Sequence, residues 1–137
     1  AMQNGDGPEG DGVKFFTYED GGNYRGECAE DGKRHGQGTY TYPNGDVFTG
    51  TFVMGKRQGH GTYIHQVGGR FEGGWMNDTM HGHGKFVFQS GTIYEGAWFN
   101  NNQHGTGKLI EADGVYAVEY THGKILKKQK MEKGAEG

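Results

Sequence analysis

A repeat of about 23 residues constrains this chain more than any other feature. Aromatic residues recur at nearly constant spacing, at Tyr24, Phe48, Phe71, Tyr94 and Tyr116. Two residues after each comes Gly26, Gly50, Gly73 or Gly96, with Val118 in the fifth copy. Two further on lie Cys28, Phe52, Trp75, Trp98 and Tyr120. Each copy then carries a Gly-x-Gly pair, at Gly36/Gly38, Gly59/Gly61, Gly82/Gly84 and Gly105/Gly107. Tyr40, Tyr63, Phe86 and Leu109 come two residues later, and Gly45, Gly68, Gly91 and Gly114 close the copies.

Within a copy the spacing is two, which is the side-chain period of a β-strand. The first strand reads aromatic-x-Gly-x-aromatic, as in Phe71-Glu72-Gly73-Gly74-Trp75. The second reads Gly-x-Gly-x-aromatic-x-aromatic, as in Gly82-His83-Gly84-Lys85-Phe86-Val87-Phe88. One face of each strand therefore holds only glycines and rings. The other holds residues such as Thr49, Thr51, His60, Thr62, Glu72 and Glu95, a solvated surface. Between the two strands stand Gly55, Asp78, Asn101 and Gly123, residue types that tolerate positive φ. The first copy has one extra residue and places Gly32 there, with Glu30-Asp31 as the bulge. Pro43-Asn44-Gly45, Ser90-Gly91 and Asp113-Gly114 supply the turns that lead to the next copy.

Glycine inside a strand costs about 0.5–1 kcal/mol relative to alanine. So many of them need a compensating gain, and a bare backbone patch offers one by letting a neighbouring ring lie flat. A buried ring removes about 150–250 Å² from water, which outweighs the glycine cost. The expected fold is all-β: an elongated, single-layer, twisted antiparallel sheet of tandem hairpins, each stabilised by its neighbours.

Composition narrows the function classes. The chain has 137 residues, enough for one domain. With 29 glycines and only 31% hydrophobic residues it has little aliphatic material for a two-layer core. A net charge of −3 does not favour nucleic acid as a partner. The single cysteine, Cys28, excludes an internal disulfide and fits a reducing compartment. No run approaches the ~18 apolar residues of a membrane-spanning helix, and no apolar signal core opens the chain. A cytoplasmic location is the expectation.

The pattern Y-x-G-x-W/F … G-x-x-x-G-x-G-x-Y/F-x-Y/F … G resembles the MORN repeat (membrane occupation and recognition nexus). Gly32-Lys33-Arg34-His35-Gly36-Gln37-Gly38-Thr39-Tyr40 and Asn77-Asp78-Thr79-Met80-His81-Gly82-His83-Gly84 carry the likeness. It divides the chain into a disordered Gly/Asp-rich leader, 1–11, an array, 12–124, and a basic tail or cap, 125–137. The array comprises a half-copy 12–23, copies 24–47, 48–70, 71–93 and 94–115, and a half-copy 116–124. Gly12, Phe16, Tyr18 and Gly21 match the leading half-copy. Lys14, Cys28, Glu111 and Val118 depart from the pattern, mostly in the outer copies, where a cap has only one neighbour. The resemblance implies a non-enzymatic scaffold, in some members linked to membranes or phosphoinositides. In others it implies protein partners such as myosin tails or axonemal components, in cytoskeletal, ciliary or flagellar assemblies.

Other motifs carry less. Gly5-Asp6-Gly7-Pro8-Glu9-Gly10 fits a nucleotide-binding fingerprint, but no expected strand precedes it. Gly82-His83-Gly84-Lys85 and Gly105-Thr106-Gly107-Lys108 echo a phosphate loop, yet Phe86 and Leu109 stand where Ser or Thr is needed. His35, His81 and His104 share one repeat position, and His60 and His83 another. Equivalent strands lie about 9–10 Å apart, too far for histidines of such a column to meet at one zinc ion. Ser90 and Cys28 lack a base and an orienting group, so no catalytic residues, metal or cofactor are assigned.

A single-layer sheet cannot cover both of its faces, and exposed rings on the curved, concave side mark a binding surface. The candidates are Tyr42, Phe52, Tyr63, Trp75, Phe86, Phe88 and Trp98, for a peptide or helix of a protein partner. The competing use of these rings is packing over glycines. The alternative function is a peripheral membrane or phosphoinositide contact through the basic residues from Lys124 to Lys133. For 125–137 a short C-terminal helix and a solvated end are both open.

Overall fold

The computed structural model describes residues 2–9 and 13–131. They form one antiparallel sheet of twelve strands in sequence order. The strands are β1 (Met2–Glu9), β2 (Val13–Tyr18), β3 (Asn23–Cys28), β4 (Arg34–Thr41), β5 (Val47–Val53) and β6 (Lys56–Ile64). After them come β7 (Arg70–Met76), β8 (Thr79–Val87), β9 (Ile93–Phe99), β10 (Asn102–Glu111), β11 (Gly114–Thr121) and β12 (Lys124–Lys130). Every strand pairs with its chain neighbours, so the array is the meander of hairpins that the repeat predicts.

Two turn chemistries alternate, and each arises from local residue type. Inside every copy after the first the two central residues both have positive φ: Met54 and Gly55, Asn77 and Asp78, Asn100 and Asn101, His122 and Gly123. These are type I′ turns, whose twist matches that of a two-stranded ribbon. Between copies a wider turn closes on a glycine. Gly45 N donates to Tyr42 O at 2.9 Å, and Gly68, Gly91 and Gly21 repeat the bond to His65, Phe88 and Tyr18. The I′ turns also join one copy to another. Each leans back on the preceding copy, with Gly55 N donating to Arg34 O at 2.8 Å and Asp78 N to Arg57 O at 3.0 Å.

The register builds a grid. Tyr24 faces Tyr40, Phe48 faces Tyr63, Phe71 faces Phe86 and Tyr94 faces Leu109, all directly across the ladder. Two residues along, glycine faces glycine in every pair from Gly26/Gly38 to Gly96/Gly107. The rings of Tyr24, Phe48, Phe71 and Tyr94 lie over this glycine row and are 0% exposed. A Cβ on Gly61 would overlap the Phe48 ring, and one on Gly84 the Phe71 ring. The two members of each Gly-x-Gly are not equivalent, which the sequence pattern does not reveal. Gly38, Gly61, Gly84 and Gly107 seat rings, whereas Gly36, Gly59, Gly82 and Gly105 have φ between +87° and +102°. The latter group stands where the ladder to the first strand of the same copy shifts register. Such a position is a β-bulge, which bends the strand and increases its twist.

The structure corrects the expectation for one end of the sheet and narrows it for the other. Met2–Glu9, read from composition as part of a disordered leader, is strand β1 and pairs with β2, with a register shift between Asn4 and Gly7. The open edge of β2 presents unpaired backbone groups, and pairing requires no particular side chain. Over 125–137, where a helix, a solvated tail and a cap are all open in sequence, residues up to 130 form no helix and cover the end of the sheet as a strand. Lys124–Lys130 is β12, paired with β11 through the His122-Gly123 turn. The β11 edge offers a ladder of backbone partners, interrupted by one register shift between Glu119 and Tyr120. Gly12 of the leading half-copy, Gly10 and Asp11 of the leader, and residues 132–137 of the tail lie outside the described residues.

The seat and the bulge make separable demands on glycine. Gly84→Ala is expected to lose about 3 kcal/mol, because the added methyl must displace the Phe71 ring. Gly82→Ala meets nothing within 4 Å and should lose only about 1–2 kcal/mol, through its positive φ. Urea unfolding of the two variants compares them, and equal losses would show that ring seating is not what requires Gly84.

Candidate functional site

All seven candidate rings lie on the glycine face, but at two depths. Phe52, Trp75 and Trp98 are 2%, 6% and 6% exposed and belong to the core. They join the seated rings in a chain of edge-to-face contacts. Phe48 meets Phe52 at 5.2 Å and Trp75 at 5.1 Å, and Phe71 meets Trp75 at 5.5 Å and Trp98 at 5.0 Å. The indole N–H groups of Trp75 and Trp98 donate to the backbone oxygens of Gly61 and Gly84, at 3.1 and 3.2 Å. The bare glycine strand thus accepts the one polar group that each buried indole carries. These three rings are spent on packing.

Tyr42, Tyr63, Phe86 and Phe88 are half-buried and lie against that core. With Tyr40 and His65 they form a second, outer row. Tyr40 and Tyr42 are 4.6 Å apart, Tyr42 and Tyr63 5.5 Å, Tyr63 and His65 4.8 Å, His65 and Phe86 5.8 Å, and Phe86 and Phe88 4.7 Å. Second-strand rings stay accessible because the glycine seats are already taken by first-strand rings. Tyr40 and His65 extend the row, and both could have been found. His65 occupies the repeat position of Tyr42 and Phe88, and Tyr40 that of Tyr63 and Phe86.

Two guanidinium groups lie over the rings. Arg34 Cζ stands 4.7 Å from the Tyr40 centroid and 5.4 Å from that of Phe52. Arg57 Cζ stands 4.7 Å from Trp75 and 5.9 Å from Tyr63. Met80 occupies the equivalent position of the next copy and packs on the same core. A cavity of about 190 Å³ opens here, lined by Arg57, Tyr63, His65, Trp75, Met80 and Asn101. Its signal in sequence is the residue two places before each Gly-x-Gly, which repeat matching alone does not mark as functional.

Asp46 anchors one side of the row and is 8% exposed. Its carboxylate accepts from Gln66 N at 2.9 Å and from the Tyr63 hydroxyl at 2.8 Å, with His65 Nδ1 at 3.7 Å. The Gln66 N–H bond, more than any other contact, holds the Asp46 carboxyl below the ordinary range, against the opposing effect of burial. Tyr63 is pushed upward, first by burial and then by its bond to that carboxylate. Burial also raises the Tyr94 phenol to about 12 and the Cys28 thiol above its ordinary value. Burial raises Tyr40 and Tyr42 as well, so every phenol of the row is a neutral donor near neutrality.

The opposite face carries a charged stripe. Glu72, Lys85, Glu95 and Lys108 stand directly across from one another on successive strands, alternating in sign. His60 lies 3.7 Å from Glu72 and His83 3.8 Å from Glu95. Among the described residues no group of three or more His, Cys, Asp or Glu side chains could hold a metal ion.

Comparison with protein families matches this chain to the model described as MORN repeat, over residues 30–47, 48–70, 71–93 and 94–116. Those matches cover four consecutive hairpins, including most of both ring rows. Comparison with curated proteins finds no match.

Asp46 makes the outer row sensitive to acid. With a folded pKa below the unfolded one, its stabilisation is complete above about pH 4 and is lost as pH falls through the folded value. Asp46→Asn should lose about 1–3 kcal/mol at pH 7 and flatten the fall of stability below pH 4. Urea unfolding from pH 2 to 7 tests this, and a native-like acid limb in the variant would show that Asp46 is not its source.

Proposed function

Since the chain belongs to the MORN repeat family, we propose that it is a non-enzymatic adaptor whose outer ring row holds a segment of a protein partner. MORN repeats are binding modules for proteins or lipids. What favours a protein segment here is the composition of the accessible row. Five half-buried rings, His65 and two guanidinium groups run without a break across β4, β6 and β8 and the residues that follow them. Aromatic and arginine side chains dominate the binding energy of protein interfaces, because they bury large rigid area while keeping a polar end. A peptide or helix laid across the strands would cover rings that the chain's own single layer leaves open. Its family resemblance extends the proposal to a cytoplasmic cytoskeletal, ciliary or motor-protein-related assembly, with a myosin tail or axonemal protein as the kind of partner.

The membrane or phosphoinositide reading is less favoured by the same structure. Lys128 Nζ lies 3.1 Å from Glu111 and 4.4 Å from the centre of the Tyr116 ring, while Lys127 Nζ lies 3.9 Å from Glu119. Part of the basic charge is thus met within the sheet. Lysines along an exposed edge strand also discourage strand-to-strand aggregation, which accounts for β12 without a lipid. No helix among the described residues is long and apolar enough to cross a membrane.

Peptides selected from a displayed random library against the native chain provide the test. Phe88→Ala or Tyr42→Ala should weaken the selected peptides by about tenfold or more, with a melting temperature within a few degrees of native. Trp98→Ala should instead destabilise the whole chain, by about 3–5 kcal/mol. Selected peptides that ignore both outer-row variants would refute the ring-row site. Flotation with phosphoinositide vesicles, lost when Lys124, Lys127 and Lys130 become glutamine, would favour the lipid reading.

A further inference from the structure

Successive copies repeat the same bonds around one arginine position, and the first copy lacks one of them. In the second, Arg57 Nη2 donates to the backbone oxygen of Asp78 at 2.9 Å. The Asp78 carboxylate then accepts from Arg57 Nε at 3.0 Å and from Arg57 N at 2.8 Å through a single oxygen. In the first, Arg34 Nη2 donates to the backbone oxygen of Gly55 at 3.0 Å, the same bond from the same turn position. Gly55 has no carboxylate to offer. Arg34 Nε is buried and has no hydrogen-bond partner among the described residues, and no described carboxylate pairs with the guanidinium. A Cβ placed on Gly55 would meet nothing within 4 Å, so the turn beside Arg34 is open, while Nε itself is covered and meets a carboxylate only once the guanidinium shifts toward that opening.

A half-buried guanidinium without a counter-charge is costly, and ring contacts offset it only in part. We propose that Arg34 receives an acidic side chain from the bound protein segment, whose carboxylate takes the place that Asp78 fills beside Arg57. The proposal rests on the protein-segment reading of the ring row and names the chemistry of one residue in that segment. Copy two shows the bond to be made: one carboxylate oxygen on Nε, with Nη2 already committed to a turn carbonyl. Arg34 Nη1 donates to the Tyr18 hydroxyl at 3.1 Å, so the fork is occupied on its outer edge as well. Two of the five N–H groups of Arg34 are thus used, and Nε–H is the one whose counterpart in copy two meets a carboxylate, which is what favours a carboxylate over a phosphate here. Tyr18 and Tyr40, stacked at 5.4 Å beside Arg34, offer apolar surface to the residue next to the acid.

Two variants remove the site while respecting the fold. Gly55→Asp supplies the missing carboxylate from within, at a positive-φ turn position where Asp78 already stands. Arg34→Met copies the residue that the third copy carries at this place, Met80. The probes are two capped tripeptides, acetyl-Glu-Tyr-Glu-amide and acetyl-Gln-Tyr-Gln-amide, and inorganic phosphate, titrated by NMR with the arginine Nε–H signals resolved. The acidic peptide should bind the native chain about tenfold more tightly than its neutral twin, moving the Arg34 Nε–H signal and leaving that of Arg57 in place. In both variants the preference should fall to about one. Equal binding of the two peptides, with Tyr42 and Tyr63 signals moving, would overturn the Arg34 assignment and leave the ring row standing. Peptides that move neither the rings nor Arg34 would overturn both. Phosphate that moves Arg34 as far as the acidic peptide at equal concentration would overturn the choice of a carboxylate.

Discussion

An aromatic ring lying flat on the backbone of a glycine pair is the contact on which the rest of this molecule depends. Tyr24, Phe48, Phe71 and Tyr94 reach zero exposure in a sheet one strand thick, with no second layer to cover them. They do so because Gly38, Gly61, Gly84 and Gly107 leave the backbone bare beneath each ring. The same absence of side chains lets the indole N–H of Trp75 and Trp98 reach a backbone oxygen. Burial and hydrogen bonding of the rings are thus met by one device, repeated at the period of the chain.

That device also determines what remains available for binding. Each copy has a single glycine seat and more than one ring to place. First-strand rings take the seats. Those of the second strand, Tyr40, Tyr63 and Phe86, lie against them from outside and keep part of their surface open. The accessible row is consequently a by-product of how the fold fills its space, and its composition is aromatic for the same reason that the core is. Arg34 and Arg57 add charge to it by lying over rings instead of pointing into water.

Repetition with small departures is what gives the surface its local character. Copies three and four place Asp78 and Asn101 at a turn position that in copy two is Gly55. All three accept the same positive φ, so the backbone does not register the change. The side chains do: Asp78 holds Arg57 by its carboxylate, and Asn101 accepts from Met80 N at 2.8 Å. A repeat protein can therefore vary its binding chemistry at turns without disturbing its ladder.

Residue spacing alone determined the strand content, the hairpin order, the ring face and the turn positions, because a period of two within a period of about 23 admits no other regular structure. Which rings are core and which are surface was not legible there. Phe52, Trp75 and Trp98 read as binding candidates on equal terms with Tyr42, Tyr63, Phe86 and Phe88, and only the direction in which each ring leans separates them. The roles of Gly59 and Gly61 were likewise indistinguishable, one a bulge with positive φ and the other a seat. Asp46, His65, Arg34 and Arg57 joined the site through contacts across copies, some 17 to 21 residues apart in the chain. Composition did not mark Met2–Glu9 and Lys124–Lys130 as strands because edge pairing is made by backbone groups that every residue carries. Local pattern thus decided which elements form, while depth, partners and charge compensation were decided by how neighbouring hairpins meet.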